Sequence, residues 1–357
     1  MANNFIETLF IASALPPHAR RRDIVLCTNF YGERVRTRKA KLVFEADLVV
    51  RAQVWGGSST AEIEDALKKR LGVKEISKGR GTGGGCINET SVYETDQGPF
   101  FVKVNRGIDR KMFDGEFLGL QAMHKTKTVR VPEPYCVGSL GNGGSFFIME
   151  YLPFGGGGGN NAQIELGYQM AALHLAPPVS MESHGSPEGK FGFWVDNTIG
   201  STPQPNGWMD DWVEFYRDRR LGFQLRLAGR KFGDSALKEK GDKLLKRLPE
   251  LFEGIEVQPS LLHGDLWAGN YASGLKGEPI IFDPATYYGH HEAELSIMKM
   301  FGGFSGDFFK AYHERIPRAP GFEERQQLYQ LYHYLNHLNL FGGSYLGSCM
   351  SILNQLT

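Results

Sequence analysis

The chain reads as an α+β fold of two lobes: a small antiparallel β lobe carrying one key helix, then a larger, mostly α-helical lobe. Three observations predict it. From 73 to 152 short apolar runs alternate with turn signals. Beyond 162 apolar residues recur mostly at helical spacing. Between them lies FGGGGGNN at 154–161, whose five consecutive glycines pay a backbone entropy that opposes any regular element.

The elements follow in order. Ser59 and Glu62 form a capping-box pair ahead of EIEDALKKRL, and Gly72 can end that helix. VKEISKG, INETSVYET, FFVKVN, YCVGSL and SFFIMEYL read as strands, with DQGP and GNGG as turns. One helix interrupts them at FDGEFLGLQAMHK, where Phe113, Phe117, Leu120 and Met123 share a face. AQIELGYQMAALHLA, DWVEFYRDRRLGFQLRLAG, SALKEKGDKLLKRL and the aromatic-rich stretch 323–357 read as helices, and 258–284 as a loop with a short hairpin turned by LKGEP. The domain division predicted is 1–57 as a transit peptide or disordered tail, 58–152 as a nucleotide-binding lobe, 153–162 as linker and 163–357 as the catalytic and substrate lobe.

Composition narrows the function. In 357 residues, 40 basic side chains balance 40 acidic ones, which points away from a nucleic-acid or membrane-surface partner. Cys27, Cys86, Cys136 and Cys349 lie far apart with no CxxC pair, against a zinc site or disulfide framework. The first 44 residues hold six arginines, two lysines and three acids, a composition like that of an organelle transit peptide. No stretch approaches the length of a membrane span.

The chemistry is concentrated in HGDLWAGN at 263–270 and IFDP at 281–284. In a phosphoryl-transfer loop an Asp accepts the proton of the attacking hydroxyl, and an Asn five positions later reaches a metal bridging the nucleotide phosphates. Asp265 and Asn270 have that spacing, His263 orders the loop, and Asp283 at the end of an apolar strand supplies the other magnesium contact. Upstream, Gly83, Gly84 and Gly85 in GRGTGGGC present backbone amides suited to phosphate oxygens; by itself such a cluster is more often a plain hairpin turn. Lys103 in FFVKVN stands where protein-kinase-like enzymes place the lysine on the α and β phosphates, and Glu116 on the intervening helix is its ion-pair partner. Met149, Glu150, Tyr151 and Leu152, where SFFIMEYL runs into the linker, are positioned to receive adenine through the Glu150 carbonyl and the Leu152 amide. Each feature alone has an ordinary structural explanation, but their order along the chain predicts a protein-kinase-like bilobal fold using ATP and magnesium. Only PATYYGHHEAELS follows Asp283, so no long activation segment is present and a small acceptor is expected. Cys86 beside those amides is a candidate redox-sensitive thiol, and the chain is expected to be a monomer or a Cys86-linked homodimer.

The blocks GGGCINE, PFFVKVNR, MFDGE, GFWVDNTIGSTPQPNGWMDDW, HGDLWAGN and YYGHHEAELSIM resemble the fructosamine-3-kinase (ketosamine-3-kinase) family over about residues 58–357. The resemblance implies ATP-dependent phosphorylation of the 3-hydroxyl of a ketosamine, on glycated proteins or as the free adduct, giving an unstable phosphate that sheds the sugar. It assigns the proton acceptor to Asp265, magnesium to Asn270 and Asp283, the phosphates to Lys103 with Glu116, and the sugar amine to the Trp267 indole. Trp194 departs from the polar residue more usual at its place, which bears on the sugar-side fit. With the transit-like leader, the resemblance favours a plastid ribulosamine kinase over a fructosamine kinase, a cytoplasmic enzyme being the alternative. Another small alcohol of the aminoglycoside or choline type is the rival acceptor, and a non-catalytic nucleotide-binding protein the rival class.

Overall fold

The structure, a computed structural model, describes residues 58–81, 88–107, 110–141, 143–155 and 159–357, without the side chains of 58, 59 and 78–80. It opens on helix α1 (Ser58–Leu71) and continues through β1 (Ile76–Gly81), β2 (Glu89–Thr95), β3 (Phe100–Asn105), α2 (Lys111–Thr126), β4 (Pro134–Ser139) and β5 (Ser145–Glu150). The strands form one antiparallel sheet in the order β1-β2-β3-β5-β4.

Strand periodicity divides this sheet into two faces, because successive side chains point opposite ways. Phe146 and Ile148 join Val102, Val104 and the α1 residues Ile63 and Leu67 in one core. Phe147 and Met149 turn the other way, into the core that holds Phe113, Leu120 and Met123 of α2. Lys103 lies between Val102 and Val104 and therefore faces α2. Glu62 does not close a capping box; its Oε1 accepts from the Gly141 amide at 2.7 Å, tying α1 to the β4–β5 turn. The expected partner Ser59 has a side chain outside the described ones.

Beyond the sheet come α3 (Gly159–Leu175), the hairpin β6 (Asn197–Ile199) and β7 (Thr202–Gln204), α4 (Trp212–Phe215), α5 (Gly222–Phe232) and α6 (Ser235–Arg247). Then follow β8 (Ser260–Leu262), β9 (Tyr271–Ser273), β10 (Pro279–Ile281), β11 (Tyr287–Gly289), α7 (His291–Phe301), α8 (Gly306–Arg315), α9 (Phe322–Phe341) and α10 (Leu346–Leu356). Three of the helices read from the sequence differ in detail. Helix α3 starts at Gly159, inside the stretch read as linker. The helix read over 211–229 contains a π-helical turn at Tyr216–Leu221. Gly342 at φ 93° breaks the C-terminal helical stretch in two. The β9–β10 hairpin does turn at LKGEP, Gly274 donating to the Glu278 carbonyl at 2.8 Å. Pairing of β8 with β11 brackets the motif segment, with Leu262 opposite Tyr287. None of the described helices is long and apolar enough to cross a membrane.

Helices α3 and α8 meet where Gly167 leaves no room: a Cβ there would lie 2.4 Å from the Phe308 carbonyl oxygen and 3.0 Å from the Ala311 methyl. Replacing a helical glycine by alanine gains about 1 kcal/mol of propensity, but overpacking against a fixed backbone costs about 1–3 kcal/mol. The clash is with main chain, so Gly167→Ala should lower the melting temperature in calorimetry; an unchanged or higher value would show that the two helices are free to part.

Candidate active site

Lys103 is 6 % exposed and Glu116 8 %, so neither charge is solvated well enough to stand alone. Lys103 Nζ donates to Glu116 Oε1 at 2.6 Å and also to Asp283 Oδ1. Burial acts against the ammonium, but Asp283 and then Glu116 outweigh it and raise the lysine above its ordinary value. Burial likewise raises Glu116, while Lys103 opposes the rise. Removing one member of such a buried pair typically costs about 3–5 kcal/mol.

Leu262 of β8 delivers the chain into the loop at 263–270. The His263 amide donates to Glu294 Oε2 at 2.5 Å, and the Gly264 amide reaches Glu294 Oε1 at 3.1 Å. Gly264 has φ 81°, and a Cβ there would sit 2.2 Å from the Ala285 carbonyl oxygen, so the close approach demands glycine. The His263 ring is buried and bridges two backbones. Its Nδ1 accepts from the Asp265 amide at 3.3 Å, which leaves the proton on Nε2 to donate to the Phe282 carbonyl at 2.9 Å. Burial lowers its pKa, in keeping with this neutral tautomer. Histidine here orders the loop, as the sequence reading assigned.

Asn270 Nδ2 donates to the Asp265 carbonyl at 2.8 Å and approaches Asp265 Oδ2 at 3.3 Å and the Asp283 carbonyl at 3.4 Å. Strand β10 then carries the chain through Phe282, whose amide donates to the Asn270 carbonyl at 3.1 Å. Asp283 takes up φ 58°, a left-handed backbone that Asp tolerates better than most residues. Asp265, Asn270 and Asp283 are thus fixed to one another through main chain. Burial raises the Asp265 carboxyl well above the carboxylate range, and repulsion from Glu294 and Asp283 adds to it. Among the described residues no three His, Cys, Asp or Glu side chains gather to hold a metal by themselves. Two oxygen ligands, Asp283 and the Asn270 amide oxygen, nevertheless fit magnesium, which keeps several waters and takes substrate phosphates for its remaining positions.

The other expected residues are distributed as follows. Met149 is buried behind β5. Glu150 is occupied by its side chain, which pairs with Arg130 and accepts from the Glu133 amide at 3.1 Å. The Arg130 carbonyl in turn accepts from Ile281 at 3.0 Å, linking the end of β5 to the strand before Asp283. Tyr151 and Leu152 are partly exposed. The Trp267 ring covers Gly269 and packs on Phe301 at 5.7 Å. Trp194 lies in a different aromatic cluster, with Phe193 at 4.8 Å, Trp208 at 5.9 Å and Tyr288 at 6.0 Å, and makes no ring contact with Trp267. Gly83, Gly84, Gly85 and Cys86 lie outside the described residues. Sequence reasoning missed Glu294, the buried carboxylate that organises the loop; the signal was an acid within the apolar face of HEAELSIM.

A lysine on an antiparallel sheet shared by two carboxylates, one of them next to an HxDxxxxN loop, is the arrangement of the kinase class of phosphotransferases. The sequence profile described as "Fructosamine kinase" matches residues 59–357, and the chain belongs to that family. It is 54 % identical over 292 residues to "Protein-ribulosamine 3-kinase, chloroplastic" of Oryza sativa subsp. indica, covering 82 % of this chain and 80 % of that protein. It is 43 % identical to the "Ketosamine-3-kinase" of Mus musculus, covering 83 % of this chain and all of the mouse protein. A putative fructosamine-3-kinase from Haemophilus somnus superposes with a TM-score of 0.69 at 26 % identity, over 82 % of this chain and 96 % of that one. The fold extends to the aminoglycoside phosphotransferase APH(4)-Ia, with a TM-score of 0.56 at 15 % identity over 82 % of this chain and 97 % of that one. The plastid address expected from the leader agrees with the rice relative's name.

Glu294 gives a prediction about pH. Burial raises the Glu294 carboxyl, but His174, 3.7 Å away, and the amides of His263 and Gly264 outweigh it and hold the group below its ordinary value, so its charge bears on Asp265. With Asp265 as the expected base, which works when deprotonated, its raised pKa puts the acid limb of activity at higher pH. Glu294→Gln removes a negative charge and should move that limb of the kcat/KM profile to lower pH, with a stability loss of about 1–3 kcal/mol from the unpaired amide. A limb that stays in place would separate Glu294 from the acidity of Asp265.

Proposed function

We propose that this enzyme transfers the γ-phosphoryl group of ATP to the 3-hydroxyl of a ketosamine, with ribulosamine preferred over fructosamine, on glycated lysines of plastid proteins or on the free adduct. The family supplies the substrate class, and the names of the rice and mouse relatives support it. The observation that carries the mechanism is the convergence on Lys103 of Glu116 and Asp283, with Asp265 and Asn270 one loop away.

In this reading Lys103, aimed by Glu116, moves from Asp283 to the α and β phosphates when nucleotide arrives. Glycines 83–85 cover the phosphates, and the adenine edge meets the backbone of Glu150 and Leu152, with Met149 behind and Tyr151 alongside. Asp283 and Asn270 hold magnesium, which neutralises charge on the transferring phosphoryl group when bound. Asp265, fixed through its amide by His263 and through its carbonyl by Asn270, accepts the proton of the 3-hydroxyl. Its raised pKa makes it a stronger base than an exposed carboxylate. Trp267, two residues on, offers an indole face to the sugar and its protonated amine. Loss of the sugar from the 3-phosphate would then restore the lysine.

The test uses ATP and magnesium with a ribulosamine, a fructosamine and an aminoglycoside as acceptors. Ribulosamine should give the highest kcat/KM and the aminoglycoside none. Asp265→Ala should lower kcat by about 10²–10⁴-fold while ATP affinity stays within a few-fold. Turnover of the aminoglycoside, or wild-type kcat in Asp265→Ala, would overturn the assignment.

A further inference from the structure

The block NTIGSTPQPN at 197–206 has no part in the mechanism above, yet its polar side chains are buried. Asn197 is 6 % exposed, Gln204 1 % and Asn206 0 %. Their hydrogen bonds form one directed network. Asn197 Nδ2 donates to the Thr286 carbonyl at 2.8 Å, and its Oδ1 accepts from Gln204 Nε2 at 2.8 Å and from Asn206 Nδ2 at 3.0 Å. Gln204 Nε2 also donates to the Ala285 carbonyl at 3.0 Å, and its Oε1 accepts from the Tyr332 hydroxyl at 2.8 Å. Arg220, fully buried in the π-helical turn, donates to Asn206 Oδ1 at 2.6 Å. Two donors of the network, Asn197 Nδ2 and Gln204 Nε2, end on the two carbonyls that follow Asp283 by three and two residues.

The same cluster touches α2. A Cβ at Gly115 would lie 2.6 Å from Asn197 Cβ, and one at Gly119 would lie 2.5 Å from Thr286 Oγ1. Gly115 directly precedes Glu116, so the turn of α2 that carries this carboxylate rests on Asn197 with no side chain between. The two acids that share Lys103 are 167 residues apart in sequence, yet the segments bearing both are set against one pair of side-chain amides. These bonds fix the orientation of each amide, because turning Asn197 over would strand two donors and one acceptor, and turning Gln204 over would strand one donor and two acceptors.

We propose that Asn197 and Gln204 are positioning residues for phosphoryl transfer, a buried amide pair that locks the backbone after Asp283 to the turn of α2 bearing Glu116. This rests on Asp283 acting as a magnesium ligand. Neither amide touches substrate; each acts through the carboxylates it aims. Partners one layer out from a metal ligand typically cost about 10–100-fold in metal affinity or activity when lost. A filler of the same core would instead change stability alone.

The experiment compares Asn197→Ala with Asn336→Ala. Asn336 bonds Gln224 at 3.2 Å and the Ile199 carbonyl at 3.5 Å, so it contacts the same hairpin without reaching 285–286. Melting temperature, kcat, KM for the ketosamine and the magnesium concentration giving half-maximal rate are measured for each. Asn197→Ala should lower kcat and raise the half-maximal magnesium by about tenfold or more, with the ketosamine KM within about twofold. Asn336→Ala should lose melting temperature only. Gln204→Leu, which keeps side-chain volume, should repeat the Asn197→Ala pattern if that variant fails to fold. Wild-type kcat and magnesium dependence in a folded Asn197→Ala or Gln204→Leu, or equal catalytic losses in Asn336→Ala, would overturn the inference. Asp283→Asn separates the two levels: its retaining turnover would refute the magnesium assignment itself, whereas an inactive Asp283→Asn beside an unaffected Asn197→Ala refutes only the positioning role.

Discussion

One ammonium held between two carboxylates organises this molecule. Lys103 comes from the middle of the sheet, Glu116 from the helix beneath it, and Asp283 from a strand end 180 residues further on. Burying that lysine is unfavourable unless both acids are in place, and both can be in place only when β3, α2 and the segment after β10 are packed together. The ion pair is therefore a report on the whole fold. In this structure Asp283 occupies the lysine; under the proposed mechanism phosphate oxygens take its place, an exchange of partners rather than a rebuilding of the site.

The loop opposite is governed by a different balance. Asp265 and Asp283 repel one another, and Glu294 behind them adds a third negative charge. Glu294 is stabilised where it is by the amides of His263 and Gly264 and by the nearby His174 ring, so it stays charged while Asp265 carries the electrostatic strain. A carboxylate more basic than an exposed one is the result. The backbone of the loop is tied at both ends, by Glu294 on Gly264 and by Asn270 on the Asp265 carbonyl, so little freedom is left to lose on reaction.

Much of this was legible in the sequence. Alternation in FFVKVN turned Lys103 toward α2, helical spacing put Glu116 within its reach, and the five-residue interval from Asp265 to Asn270 is local enough for spacing to fix the geometry. What could not be read depends on contacts made far along the chain. Glu294 lies 31 residues from the amide it holds, and Asn197 lies 89 from its carbonyl; neither partner leaves a periodic trace. Trp194 drew notice only as a departure from a polar residue, and nothing in the sequence showed that it packs with Phe193, Trp208 and Tyr288 while Trp267 packs on Phe301. Glu62 had the spacing of a cap, but its carboxylate accepts from the Gly141 amide, 79 residues along the chain. Three-residue strands such as β8 and β11 are too short for a period to show, and only their pairing across the motif segment reveals them.

The central claim is the partner exchange at Lys103, and a crystal structure with a non-hydrolysable ATP analogue, magnesium and a ketosamine tests it most directly. The account predicts that Lys103 keeps Glu116, leaves Asp283 for phosphate oxygens, and that Asp265 lies within hydrogen-bond reach of the acceptor 3-hydroxyl. Nucleotide bound with Lys103 still closed on Asp283, or an acceptor hydroxyl out of reach of Asp265, would contradict it.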